Sequence, residues 1–358
     1  MAAGASAPTA PLGPRRQALG REEVRTAKVL FIGGTGLISS ACVALAAERG
    51  VTATAVVRGQ TTSRPLPAGV RRVVADVADR KALAKAVGGE SFDAAVNFIA
   101  FTPDQVQADI DLFADRIGQY VFISSTSVYS KPVTRLPIVE SSPVRSLSWP
   151  YAQNKIACED LLVQAFRTRD FPAVIVRPGH TYDRTAVPLL GGWTAVDRMR
   201  RGEPVVILGD GTSLRPMTHA RDFARGLVPL LGDGATIGDC FHITSDEAPN
   251  WEYVYTEMAR AAGVAAPRLV HQTTDTIARI APVWADYLHG DGASSMMFDN
   301  SKIKRAVPGF AATVGFSEGA REIVRWHDED PTRRRVDPAV NELLGRLTCP
   351  GAGHAATS

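Results

Sequence analysis

Three glycines behind a short apolar run constrain this chain more than any other stretch. The run is Val29-Leu30-Phe31-Ile32, and the turn that follows is Gly33-Gly34-Thr35-Gly36-Leu37-Ile38. Four apolar residues bounded by a turn are the pattern of a buried parallel strand. Ser39 to Glu48 then reads as a helix. Strand, glycine turn and helix in this order make a dinucleotide fingerprint. Glycine lets the backbone approach a pyrophosphate closely, and the helix N-terminus faces its negative charge. The spacing is Gly33-x-x-Gly36-x-x-Ser39, with a small serine where a third glycine usually packs helix against strand. Gly33, Thr35, Gly36, Leu37 and Ile38 are therefore the expected pyrophosphate contacts.

Strands and helices alternate beyond this turn. Expected strands are Val51 to Val57, Arg71 to Ala75, Asp93 to Ala100, Gln119 to Ser124 and Ala173 to Arg177. Expected helices are Lys81 to Val87, Pro103 to Ile117 and Trp149 to Thr168. Such alternation predicts an α/β fold: a Rossmann-type, doubly wound parallel sheet with helices on both faces and ligands beyond the strands' carboxyl ends. The expected organisation is a disordered tail over 1–26, a dinucleotide-binding domain over 27–178 with a return segment near 218–245, a smaller substrate lobe from 179–217 and 246–330, and a C-terminal tail over 331–358.

Composition excludes several classes. The chain of 358 residues carries 40 basic and 37 acidic side chains, near balance, which argues against a dedicated nucleic-acid surface. Cys42, Cys158, Cys240 and Cys349 lack metal-ligand spacing and read as reduced thiols of a cytoplasmic protein, and no metal is expected. No apolar run is long enough to cross a membrane. The Ala-, Pro- and Arg-rich start lacks the apolar stretch of a signal peptide. His354, near the end, is expected to be exposed.

Tyr151-Ala-Gln-Asn-Lys155 supplies the chemistry. One helical turn separates Tyr151 from Lys155, so both project from one face. An ammonium beside a phenol favours the phenolate, which a group titrating near pH ~10 needs in order to accept a proton at neutrality.

The chain resembles the extended short-chain dehydrogenase/reductase family, in particular bacterial sugar-nucleotide epimerase/dehydratase-like proteins. The likeness runs from about Lys28 to Trp326. It is carried by the Gly33–Ser39 loop, Val74-Ala-Asp-Val77, Phe122-Ile-Ser-Ser-Thr-Ser-Val-Tyr129, Tyr151-Ala-Gln-Asn-Lys155, Val176-Arg-Pro-Gly-His-Thr-Tyr182 and Leu214-Arg-Pro-Met-Thr-His-Ala-Arg-Asp-Phe-Ala224. The resemblance implies Ser125 as the catalytic hydroxyl, with Ser124 and Thr126 as close competitors; Tyr151 as the proton acceptor; and Lys155 as a second contact to the nicotinamide ribose. It places Asp76, and Val77 beside it, near the adenine, unless Asp76 merely closes a turn. Ala100 and Pro178 would flank the nicotinamide, and Phe101 would reshape the pocket. His180 would meet substrate or serve as a buried structural histidine. Arg215 would grip a nucleotide diphosphate, bidentate to its oxygens, or stand as a surface arginine. His219 reads as structural, Asp222 as a helix N-cap, and Arg184 and Trp193 as shaping a sugar pocket.

The expected cofactor is tightly bound NAD(P). The second strand ends Ala55-Val-Val-Arg-Gly-Gln60 without the carboxylate that bonds NAD ribose hydroxyls. Arg58 in its place suits a 2′-phosphate and favours NADP, whereas epimerases of the resembling kind often hold NAD. The expected function is epimerisation of a nucleotide-linked sugar or similar polyol through a transient ketone. The alternatives are an NADP-dependent reductase and a non-catalytic nucleotide- or RNA-binding member, as in the chloroplast stem-loop-binding branch. Dehydratases of this kind carry Asp-Glu after the catalytic hydroxyl; here the pair is Thr126-Ser127, with no useful proton carrier. Ile156, Leu161, Leu162, Ala165 and Phe166 form an apolar side of the Tyr151 helix; it packs inside the monomer or, as the resemblance implies, pairs along with the preceding helix across a two-fold homodimer, which is the expected assembly.

Overall fold

Eleven strands and twelve helices make up the computed structural model, which describes residues 27–61 and 63–349. The expected N-terminal tail, and His354, lie outside the described residues. Strands are β1 Lys28–Ile32, β2 Thr52–Val57, β3 Arg71–Val74, β4 Ala94–Asn97, β5 Tyr120–Ile123, β6 Ala173–Pro178, β7 His180–Tyr182, β8 Val205–Leu208, β9 Met217–His219, β10 Cys240–Ile243 and β11 Leu269–Gln272. Helices are α1 Ser39–Glu48, α2 Arg80–Val87, α3 Pro103–Phe113, α4 Pro150–Arg169, α5 Trp193–Arg200, α6 Ala220–Leu227, α7 Trp251–Ala261, α8 Thr274–Ile280, α9 Ala285–Tyr287, α10 Ser301–Ala306, α11 Phe316–Asp328 and α12 Pro338–Thr348.

Seven strands form one parallel sheet in the order β10-β6-β5-β4-β1-β2-β3. The chain builds outward from β1 to β3 and then returns to β4 on the other side. That reversal opens a crevice above the carboxyl ends of β1 and β4. Both sheet faces are covered except at the edge strand β3, where Arg71, Arg72 and Val74 are exposed. Phe31, Cys42 and Phe223 belong to the core under α1 and α6, and Leu30, Phe122 and Leu162 to the core under α2, α3 and α4. A third core, with Trp193, Tyr255, Ile323 and Leu344, fills the lobe built from β8, β11 and the helices around them.

Several boundaries differ from the sequence reading for local reasons. β4 stops at Asn97, not Ala100, because the Asn97 side-chain oxygen accepts from the N–H groups of Ile99 (2.8 Å) and Ala100 (2.9 Å) and turns the chain. α3 stops at Phe113, not Ile117, because Ala114 is extended and Asp115 adopts a left-handed φ of 60°. Asp222 is not the cap of α6. His219 is, its Nδ1 accepting from the Arg221 N–H at 3.1 Å, while Asp222 accepts from the Val314 N–H. Trp193 shapes no sugar pocket; it opens α5 in the lobe core, stacked on His327 at 4.2 Å.

Residues 331–348 are not a tail. Asp337 caps α12 by accepting from the Ala339 and Val340 N–H groups, and Leu344 and Leu347 are fully buried in the lobe core. We expect Leu344→Ala to destabilise the protein by about 2–5 kcal/mol, the range for emptying a leucine site. A urea-unfolding midpoint equal to wild type would contradict this packing.

Candidate active site

The glycine turn is shaped for close approach. Gly33 sits at φ +89°, and a Cβ there would lie 2.8 Å from Ile99; at Gly34 it would lie 2.8 Å from Ala55. Ser39 improves on the expected bystander role. Its hydroxyl accepts from the Gly36 N–H at 2.7 Å and donates to the Gly33 carbonyl at 2.5 Å, tying the loop shut. The first turn of α1 holds no acidic residue, which keeps its N-terminus attractive to an anion. Gly33, Thr35, Gly36, Leu37 and Ile38 form the turn between β1 and α1, where the Gly33 and Gly34 N–H groups donate to the Val56 carbonyl. Arg58 is exposed at the end of β2. Asp76 follows β3 on the same rim, and one of its oxygens accepts from the Ala78 N–H at 3.0 Å. Val77 is half-buried behind it. Arg64, in the connection after β2, crosses to Asp183 beyond β7, Nε to Oδ2 at 2.6 Å, and so fastens the rim at both ends.

Ser125, Tyr151 and Lys155 come together at the other end of the crevice. Ser125 follows β5 and caps a single 3₁₀ turn, accepting from the Ser127 N–H at 3.1 Å and donating to the Ser127 hydroxyl at 2.9 Å. Pro150 at the first position of α4, with Trp149 as cap, sets the helix start that places Tyr151. The Tyr151 ring packs on Trp149 at 5.1 Å and on Phe101 at 6.4 Å. Burial pushes its phenol above the ordinary value, and contact with the Ser125 hydroxyl works the other way.

Lys155 is 1 % exposed and donates to the carbonyls of Ala100 and Ile123, each at 2.8 Å. Burial brings its ammonium down to about 8. Its Nζ is 6.0 Å from the Tyr151 ring centroid, and the phenol is governed by burial and the Asp291 carboxylate, which raise it, and the Ser125 hydroxyl, which lowers it, not by the charge help expected from Lys155. Ala100 is buried at the turn that holds this ammonium, and Pro178 is buried at the end of β6.

Ser125, Trp149, Tyr151, His180, Tyr287 and Asp291 line a cavity of about 310 Å³. His180 lies edge-on to Trp251 (5.9 Å) and Tyr287 (6.4 Å). Burial, with Arg215 nearby, lowers it to about 4, so the imidazole is neutral. Arg215 is behind this wall, 2 % exposed, with Nη1 donating to Asp291 Oδ2 at 2.8 Å. Lys131 Nζ reaches the other Asp291 oxygen at 3.0 Å. Asp291 and Lys131 escaped the sequence reading, as did Arg64. A larger hollow of about 890 Å³ lies beside Arg49, Arg225 and Phe310 and contains none of the candidate side chains.

Beneath the catalytic candidates, Arg177 of β6 and Glu159 of α4 form a buried pair. Nε and Nη2 donate to the two carboxylate oxygens at 2.9 and 2.6 Å, and the Ser124 hydroxyl donates to the same carboxylate at 2.5 Å. Glu159 is one turn beyond Lys155, and Ser124 precedes Ser125. The pair therefore ties together the two elements that carry Ser125 and Lys155. Among the described residues no cluster of His, Cys, Asp and Glu fits a metal ion, and no helix is long and apolar enough to cross a membrane.

Comparison with known proteins agrees with this fold. The chain is 23% identical over 256 residues to the chloroplast stem-loop binding protein of 41 kDa b of Arabidopsis thaliana, covering 68% of this chain and 65% of that one. It is 26% identical over 186 residues to an uncharacterized UDP-glucose epimerase of Bacillus subtilis, covering 50% and 57%. The chain thus spans less than two thirds of either relative. An epimerase of Methanothermobacter thermautotrophicus superposes with a TM-score of 0.72 at 18% identity, covering 88% of this chain and 96% of that one. A UDP-glucose 4-epimerase of Thermotoga maritima, solved with UDP-glucose, gives 0.68 at 18%, covering 84% and 99%. At these identities the superpositions establish the fold. The pattern of one enzyme family matches residues 29–243, more than half of the sequence and all of the main sheet but part of its first residue pair. The chain belongs to the NAD dependent epimerase/dehydratase family.

Proposed function

We propose that this protein is an NAD(P)-dependent epimerase that acts on a nucleotide-linked sugar or similar polyol through a transient ketone. The observation that carries this reading is Tyr151 and Ser125 facing one small cavity, with Lys155 held one turn below. A bound nicotinamide would supply hydride acceptance and return. Ser125 holds the reacting hydroxyl by a hydrogen bond, and Tyr151 takes its proton as the carbon is oxidised. The ketone presents its other face, and Tyr151 gives the proton back. Lys155, anchored on Ala100 and Ile123, positions the cofactor ribose.

Dehydration is disfavoured. Thr126 and Ser127 stand where an acid–base pair is needed, and the cavity's one carboxylate, Asp291, is engaged by two cations. The stem-loop-binding relative raises an RNA reading; the retained Ser125, Tyr151 and Lys155 and the near-balanced charge favour catalysis. Half-buried Ile156 is what α4 still offers to a homodimer, whereas Leu162 and Ala165 lie in the protomer's own core, Leu161 packs against it and the Phe166 ring covers Gly238.

Product analysis over a panel of sugars and sugar nucleotides without added cofactor tests the reading. Inverted product without net redox supports epimerase, and a strict requirement for added NADPH replaces it with reductase. For the cofactor, Arg58→Ala is expected to weaken NADPH binding by about tenfold, worth ~1.4 kcal/mol, while leaving NADH unchanged in a fluorescence titration. Equal affinities in the variant and wild type would remove the case for NADP.

A further inference from the structure

Arg215 already carries its counterion. Nη1 donates to Asp291 Oδ2 at 2.8 Å, and Nη2 donates to the backbone carbonyls of Asp291 and Ser294. Lys131 Nζ sits 3.0 Å from Asp291 Oδ1 and donates to the Ser127 carbonyl at 2.9 Å. Arg215 is 2 % exposed and Asp291 6 %. Two cations therefore share one carboxylate, and the cluster keeps one net positive charge. It is assembled from three separate segments: the stretch after the serine turn, the strand-side loop at 215, and the π-helical turn Leu288–Gly292. Burial alone would push the Asp291 carboxyl up, but Arg215 and Lys131 outweigh it and hold it below the usual carboxylate range.

A guanidinium grips phosphate through parallel N–H donors. Both Arg215 terminal nitrogens are engaged inside the protein. Releasing them breaks a buried pair and leaves a carboxylate facing the incoming anion, which costs desolvation and repulsion together. The buried polar atoms at this wall without a hydrogen-bond partner are Arg215 Nε, the Tyr287 hydroxyl and Asp291 Oδ1, the last facing Lys131 as an ion pair, and the adjacent His180 is neutral. Such groups suit hydroxyls. The volume agrees, since about 310 Å³ is at the lower end of the ~300–1,000 Å³ span of small-molecule sites.

We propose that Asp291 is a specificity-determining residue that closes the Arg215 subsite to a diphosphate, so that the group held against Tyr151 belongs to a compact polyol or sugar bearing at most one negative charge. This rests on the reading of Tyr151 as the acid–base group, and it chooses the polyol over the nucleotide-linked sugar.

Calorimetric titration of the full chain with UDP and with inorganic pyrophosphate tests it. For wild type, dissociation constants above ~1 mM for both support the proposal, and a value below ~1 mM for either overturns it. Asp291→Asn removes the carboxylate that Arg215 Nη1 and Lys131 share while leaving Nη2 and Lys131 on their backbone acceptors, and its affinity for pyrophosphate is expected to rise by about tenfold or more. An unchanged affinity in a variant with wild-type circular dichroism and wild-type dinucleotide binding overturns it. If the variant does not fold, the wild-type titrations decide alone. Turnover that survives Tyr151→Phe would instead sink the proposed reaction and leave these titrations untouched.

Discussion

Tyr151→Phe is expected to lower turnover by about 10²–10⁴-fold, the usual worth of a positioned proton-transfer group. The ring keeps its packing on Trp149 and Phe101, so folding and dinucleotide binding should match wild type. Loss of turnover with both controls intact isolates the hydroxyl; retained turnover would remove Tyr151 from the reaction. Burial raises this phenol, so its proton-accepting form is the minority species at neutrality, and wild-type substrate oxidation should accelerate as pH rises. A rate that falls from pH 7 to 9 would contradict that assignment. Lys155 shows the cost of the arrangement. Burial brings it to about 8 from an ordinary 10.5, so the unfolded chain binds this proton more tightly. Its contribution to stability is present at high pH and is lost as pH falls from the unfolded value through about 8.

Arg177→Met is expected to destabilise the fold by about 3–5 kcal/mol, because it strands a buried carboxylate. Arg177 and Glu159 side chains are 7% and 6% exposed, and their two-pronged contact is the main polar tie between β6 and α4 beneath Ser125 and Lys155. Denaturant unfolding measures the loss. The double variant Arg177→Met with Glu159→Leu should recover a large part of it, since removing both charges leaves only the neutral Ser124 hydroxyl without its acceptor, a smaller cost than a stranded carboxylate. A double variant no better than the single one would assign the effect to packing instead of charge.

The parts of this molecule that the sequence makes legible are local. Val29–Ile32, the three glycines and the helix after them constitute a continuous unit whose geometry is set by neighbouring residues. Tyr151 and Lys155 share a helix face for the same reason. What escaped is non-local or irregular. Asp291 meets Arg215 across 76 residues, from a π-helical turn with no periodic signature. Arg64 meets Asp183 across 119 residues, loop to loop. Trp193 and the segment 331–348 were misplaced because their partners come from distant helices; the Pro and Gly near Trp193, and the Arg-rich stretch before α12, look like connections until the lobe core is assembled. The identity of the charge at Arg215 was readable, and its neutralisation was not.

The helix that ends the described chain has a consequence for how the protein is made. α12 supplies Leu344 and Leu347 to a core that also needs α5, and the Arg198 to Asn341 hydrogen bond joins residues 143 apart. During synthesis the parallel sheet's strands through β10 emerge before this helix exists, whereas the lobe waits with an open apolar seam until residue 347 has left the ribosome. A chain that ends before α12 would therefore hold every strand of the parallel sheet but leave the apolar core around Trp193 and Tyr255 without Leu344 and Leu347 to close it.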